Sequence, residues 1–257
     1  MIRDFFWTVF ILARKHTVDP CSEYQALSIF FMQGRSISSM LSIKGRAIQM
    51  DLEYRGILMA EMLTIYNENE QPIGIKEREK VHLDGDWHET FHCWMFRKEG
   101  ETIHLLLQQR ADHKKDFPSL FDITAAGHVE AGEDVLLAGV REIDEEVGLT
   151  VVPGDLIPQG YYKEELKEGV LVDREICRIY LLPWTNDKTF TIGEEVKDIV
   201  SVPLEDMEGL MDLPRSVKGF SILNGEEKEV NRKNLVPHEK GYERYVFQAI
   251  RECVAKL

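Results

Sequence analysis

Three glutamates, Glu142, Glu145 and Glu146, recur at i, i+3 and i+4. That spacing puts three carboxylates on one face of a helix. Clustered oxygen donors suit a hard divalent cation. They equally suit a solvated acidic face, since each like-charged i, i+4 pair costs only about 0.2–0.5 kcal/mol. Their surroundings are those of a helix. Leu136, Val140, Ile143 and Val147 recur at spacings of four, three and four, an apolar stripe. Asp134 stands at the positive N-terminal end and Gly148 suits the C-cap. Gly139, inside the helix, costs up to about 1 kcal/mol relative to alanine, which points to a close backbone contact there. The pattern predicts a helix over 134–147.

The elements around this helix can be read more coarsely. Thr64–Tyr66, Thr90–Phe96, Ile103–Gln109, Phe121–Ala126, Leu171–Leu182 and Asp198–Val202 read as strands, rich in β-branched and aromatic residues. Arg97–Thr102, with Gly100, reads as a hairpin connection. Further helices are expected at about 204–212 and at 241–255, the last with Tyr245, Phe247 (or Val246), Ile250 and Val254 as its apolar face. Strands alternating with helices and no internal repeat predict an α/β sandwich.

The 257 residues carry 31 Lys+Arg against 45 Asp+Glu, a net charge of −14. Such acidity disfavours a basic face for nucleic acid, so no nucleic-acid partner is expected. The nine-residue apolar run Phe5–Ala13 is too short for a bilayer, which needs ~20 residues. No membrane partner is expected. Cys21, Cys93, Cys177 and Cys253 form no C-x-x-C pair, and reduced thiols in a cytoplasmic protein are the expectation. Charge divides unevenly: residues 1–58 hold seven basic and five acidic side chains, a net of +2, leaving −16 for 59–257. Residues 1–58 are therefore expected to be either a poorly ordered extension or translated upstream sequence ahead of a start at Met59 or Met62. Arg55-Gly56 can be encoded as a purine-rich ribosome-binding sequence, which fits the second reading. The working domain is then 59–257.

Gly127, five residues, Glu133, seven residues, then Arg141-Glu142-Ile143-x-Glu145-Glu146-x-Gly148-Leu149 meets every fixed position of G-x5-E-x7-R-E-U-x-E-E-x-G-U, with U aliphatic. The string resembles the Nudix box, and with the surrounding strand pattern the resemblance covers roughly 60–257. It implies a Nudix-type α/β/α sandwich with a mixed sheet. There a catalytic loop–helix–loop binds Mg²⁺ or Mn²⁺ and hydrolyses a small-molecule diphosphate. Carried over by position, Glu142 and Glu146 are the main metal ligands and Glu145 a further one. Arg141 orients Glu142 by a charge-assisted hydrogen bond, and Glu133 braces the loop or holds a metal-bound water. Glu195, in a stretch resembling the family's loop before its last core strand, is expected to be an additional base or metal ligand. A solvated acidic loop is its alternative.

Two longer stretches, HLDGDWHETFHCWMF and LLLQQRADHKKDFPSLFDITAAGH, resemble the branch of the family that includes type I isopentenyl-diphosphate isomerase. Those isomerases use a cysteine just before the Gly-His pair, and that position here is Ala126. Their box is degenerate, whereas this one is intact. Hydrolase is therefore expected over isomerase, and a catalytically silent diphosphate-binding module is the other alternative. His82, His88 and His128 fall near the isomerases' metal-ligand histidines, with the first spacing one residue short. Substrate contact or ordinary hydrogen bonding is expected of each, His88 and His128 being the substrate-binding candidates, ahead of a second metal site. Arg110 is expected to meet the diphosphate, and Lys114-Lys115 to form a solvated turn.

Overall fold

The computed structural model describes residues 60–168, 171–185 and 188–256. The expected extension over 1–58 lies outside them. In chain order the first elements are β1 (Met62–Tyr66), β2 (Pro72–Glu77), α1 (Arg78–Asp84), β3 (Trp87–Glu99), β4 (Thr102–Arg110), β5 (Phe121–Asp122), β6 (Ala125–His128) and α2 (Val135–Val147). They continue with β7 (Ile157–Glu168), β8 (Leu171–Pro183), β9 (Val196–Pro203), α3 (Leu204–Asp212), β10 (Ser216–Ser221), β11 (Glu227–Asn231) and α4 (Lys240–Val254).

Strand β3 organises the sheet. It pairs antiparallel with β4, β1 and β6 and parallel with β8, so the sheet is mixed. Its long path runs β11-β10-β9-β4-β3-β1-β2. Side chains of a strand alternate between faces, and β3 uses both. Phe91, Cys93 and Met95 join the core under α2, while Trp94 and Phe96 join the core under α3 and α4. One helix on one face and two on the other give the expected α/β/α sandwich.

Helices α2, α3 and α4 fall where the apolar spacing predicts. The phase of α4 differs. Tyr242, Val246, Phe247, Ala249, Ile250 and Cys253 are buried, while Tyr245, expected inward, is exposed and bonds through its hydroxyl to the Gln159 carbonyl. The single strand expected over Phe121–Ala126 is broken into β5 and β6. At the break the Thr124 hydroxyl bonds to the Leu106 carbonyl and accepts from Met95 N at 3.0 Å, and the chain passes from pairing with β4 to pairing with β3. Among the described residues no helix is long and apolar enough to cross a membrane.

Candidate active site

Asp134 caps α2, accepting from Leu136 N at 2.9 Å and Leu137 N at 3.3 Å. Gly148 ends the helix with φ +66°, the left-handed conformation that favours glycine. Gly139 is the close contact its position implies. A Cβ there would lie 2.2 Å from the Phe91 ring, so the missing methyl lets α2 settle on β3. Gly127 plays the matching part for the acidic face, because a Cβ at 127 would lie 2.1 Å from the Glu142 carboxyl carbon. The box thus needs glycine at 127 to leave room for its own glutamate.

Arg141 ties the carboxylates together. Its Nη1 donates to Glu142 Oε1 at 2.7 Å and to Glu145 Oε2 at 3.3 Å. Its Nε and Nη2 donate to Glu133 at 3.2 and 3.1 Å. Glu133 also accepts from Glu130 N at 3.1 Å, which closes the loop before the helix. Glu146 is the most deeply placed of the three box carboxylates, 5% exposed. It accepts from Gln108 Nε2 at 3.1 Å and Ala126 N at 3.0 Å, both neutral donors. Burial, aided by the Glu142 charge, pushes its carboxyl up to about 8. Burial also raises Glu142, against the opposing charge of Arg141. Two adjacent acids destabilised as anions fit a cation between them. These residues are the ones that would hold Mg²⁺ or Mn²⁺.

The box faces a cleft of about 490 Å³ that also takes in Arg110, Lys114, Glu195, His82 and His128. Glu195 reaches this cleft because its loop docks on the end of α2. Thr191 N donates to the Val147 carbonyl at 3.0 Å and Gly193 N to that of Glu146 at 2.9 Å. Glu195 itself is exposed and pairs with Lys114. Lys114 is therefore a paired cleft residue, while Lys115 is solvated. Glu145 is the most exposed of the box carboxylates.

His82, His88 and His128 converge. Their ring centroids form a triangle with all three sides 5.2 Å. His82 Nε2 and His128 Nε2 are 3.2 Å apart, and Asp173 and Glu175 close the group from β8. The outer nitrogens are held from behind. His88 Nδ1 bonds to the Asp86 carbonyl at 3.1 Å and His128 Nδ1 meets Glu61 at 2.9 Å, the outer-shell support typical of metal-ligating histidine. Burial and the neighbouring His128 lower His82 to about 4 and His88 to about 3, so both are neutral with a lone pair to donate. Burial and the Glu175 charge raise Asp173 to about 8. Among the described residues, His88 Nε2 and Asp173 Oδ1 are buried without a hydrogen-bond partner and lie 3.6 Å apart. Orphaned buried polar atoms call for an ion or water, and mixed imidazole and carboxylate donors suit a transition metal.

Spacing brought forward the box, and the resemblance to the isomerase branch brought forward the three histidines, with substrate contact expected of them ahead of a metal site. Neither brought forward Asp173, Glu175 or Glu61, which join the histidines only through pairing of distant strands. A faint signal exists for two of them: Asp173 and Glu175 lie two apart in a strand, on one face, next to the apolar run ICRIYLL.

Residues 86–220 match the family model described as NUDIX domain. An uncharacterised Nudix hydrolase of Clostridium acetobutylicum is 36% identical over 203 residues, which cover 75% of this chain and 98% of that one. An isopentenyl-diphosphate Δ-isomerase of Saccharopolyspora erythraea is 35% identical over 138 residues, covering 53% of this chain and 69% of the relative. A solved structure from Deinococcus radiodurans is similar at 18% identity and a TM-score of 0.47, covering 59% of this chain and 88% of that one.

Proposed function

This chain belongs to the Nudix hydrolase family, and from that premise we propose that it is a divalent-metal-dependent pyrophosphohydrolase acting at a diphosphate through the carboxylates of α2. The observation that carries the reading is Glu146 beside Glu142: one carboxylate buried with only neutral donors, the other half-buried, both raised by burial. A bound Mg²⁺ or Mn²⁺ polarises phosphoryl oxygens and lowers the pKa of attacking water. Glu142 and Glu146 hold it, with Glu145 near the solvent edge. Arg141 fixes the Glu142 rotamer by its 2.7 Å bond. Arg110 and Lys114 bring positive charge to a cleft wall otherwise crowded with acids, and there they meet the diphosphate. Glu195, once a bound phosphate draws Lys114 away, is the exposed cleft acid that takes a proton. His82, His88, His128, Asp173 and Glu175 offer a second, softer metal site in reach of the same cleft.

The relatives include isomerases, but Ala126 presents a methyl group where that reaction needs an acid–base side chain, which favours hydrolysis. A screen over nucleoside di- and triphosphates, dinucleotides, ADP-sugars and prenyl diphosphates, with Mg²⁺ and with Mn²⁺, reading phosphate directly and after phosphatase treatment of the products, tests the reading. Turnover of at least one compound that disappears in Glu142→Gln is expected. Conversion of isopentenyl diphosphate to its isomer without phosphate release would overturn it.

A further inference from the structure

Running inward from another stretch of the cleft wall are four charged groups in alternating sign: Arg110, Asp122, His238 and Glu164. Arg110 Nη1 donates to Asp122 Oδ2 at 3.0 Å. Its Nε and Nη2 both donate to the Asp116 carbonyl, at 3.2 and 3.0 Å. Asp122 Oδ1 lies 3.0 Å from His238 Nε2, and His238 Nδ1 lies 2.8 Å from Glu164 Oε2. Both partners of this imidazole are carboxylates, which accept and do not donate, so both ring nitrogens carry protons and the ring is a cation. Glu164 also accepts from the backbone N of Glu239, the N-cap of α4, at 2.5 Å.

Asp122, His238 and Glu164 are 8%, 9% and 0% exposed. Buried charge of this kind is costly unless each member is matched, and here two cations alternate with two anions. Arg110, at the open end, has five N–H groups. Three are taken by Asp122 and Asp116, which fixes the plane of the guanidinium and leaves two on its terminal nitrogens. Arg110, Asp122 and His238 line the cleft, and Glu164 lies behind them on β7.

We propose that His238 is a positioning residue: by holding Asp122 it sets the direction in which Arg110 presents its remaining N–H groups to a substrate phosphate, and so ties phosphate affinity to the start of α4. Only the role of Arg110 is taken over from the proposed function. Asp122, His238 and Glu164 lie outside the box, and none is needed to hold its cation.

The experiment is calorimetric binding of inorganic pyrophosphate with Mg²⁺ to the full chain, alongside KM and kcat for whichever diphosphate the wild type hydrolyses. Asp122→Asn and His238→Gln are each expected to weaken pyrophosphate binding and raise KM about 10-fold, with kcat changed less than about 3-fold. Arg110→Ala loses at least as much. The decisive comparison is the double variant, in which His238→Gln adds no further loss once Arg110 is alanine. An undiminished His238→Gln effect in the Arg110→Ala background would overturn the proposal, since His238 would then act through the fold at large. So would wild-type affinity in Asp122→Asn, a shape-preserving change that carries the test if His238→Gln does not fold. If Arg110→Ala binds pyrophosphate normally, the phosphate role of Arg110 falls and this proposal with it, while the Glu142→Gln assay still judges hydrolysis independently.

Discussion

Two groups of buried charge border one cleft and are built on opposite principles. On the α2 side, Glu142 and Glu146 are carboxylate beside carboxylate, and burial lifts Glu146 to about 8. On the side of α4, Asp122 is as deeply placed, and burial alone would lift it too. The hydrogen bond and charge of His238, with the charge of Arg110, instead bring it down to about 2. One arrangement is complete within the chain. In the other, Arg141 matches Glu142 while the deeper Glu146 has only neutral donors. Burial alone therefore does not raise a carboxyl; burial without a matched charge does.

The sharpest way to break this contrast is at Glu146. Glu146→Gln is expected to lower kcat at least about 10³-fold, as loss of a group that stabilises the reacting centre does. The same change is expected to raise the melting temperature in chelator at neutral pH, because the fold no longer has to hold a buried carboxyl protonated above its ordinary range; each kcal/mol relieved moves Tm by about 2–4 °C in a domain of this size. Turnover near that of the wild type, or a lowered Tm without metal, would count against the contrast.

On the other side the sign reverses. Removing one partner of a buried pair typically costs about 3–5 kcal/mol, so Asp122→Ala is expected to be strongly destabilised with or without Mg²⁺, as read by chemical denaturation.

The pH dependence separates the two further. Glu146 has a raised pKa, so in the metal-free chain its contribution to stability is full below about 4.5 and is lost as pH climbs through about 8. Asp122 has a lowered one, so its contribution is full above about 3.8 and is lost as pH falls through about 2. Melting curves from pH 2 to 9 in chelator are expected to show both limbs, with Glu146→Gln flattening the upper and Asp122→Asn the lower.

The histidine cluster belongs with the incomplete kind. Chelator-treated protein is expected to take up Co²⁺ with a visible absorption band that is lost in His88→Ala and kept in Glu146→Gln. A band unaffected by His88→Ala would remove the cluster from consideration. The smallest effect is expected at Glu195. Exposed and paired with Lys114, its change to Gln is expected to alter kcat by less than about 10-fold, and least at low pH, where the wild-type carboxyl is itself protonated.

Much of the incomplete side was legible in the amino-acid sequence, and little of the complete side. The box is contiguous: its cap, stripe, glycines and acids lie within 127–149 and report on one another at helical spacing. Asp122, Glu164 and His238 are separated by 42 and 74 residues and meet only because β7, β5 and the segment before α4 come together. Short elements were hidden for a related reason. Helix α1, which carries His82, is seven residues long with Val81 as its one buried residue, too few for a periodic stripe. Strand β7 reads as polar because its inward acid, Glu164, is matched by a histidine far along the chain. Tyr245 was misplaced by a helix phase that Tyr242 sets from the buried side, where its hydroxyl receives the indole N–H of Trp94 at 2.9 Å.

Strand β6 is only four residues long, yet consecutive residues of it touch both the glutamate cluster and the histidine cluster. Ala126 N bonds to Glu146, Gly127 makes room for Glu142, and His128 belongs to the histidine triangle while its carbonyl accepts from Arg141 at 3.3 Å. An ion at the histidines would act on the same few atoms that seat the glutamates. If both sites take ions, any factor by which one changes the affinity of the other must be returned in equal measure.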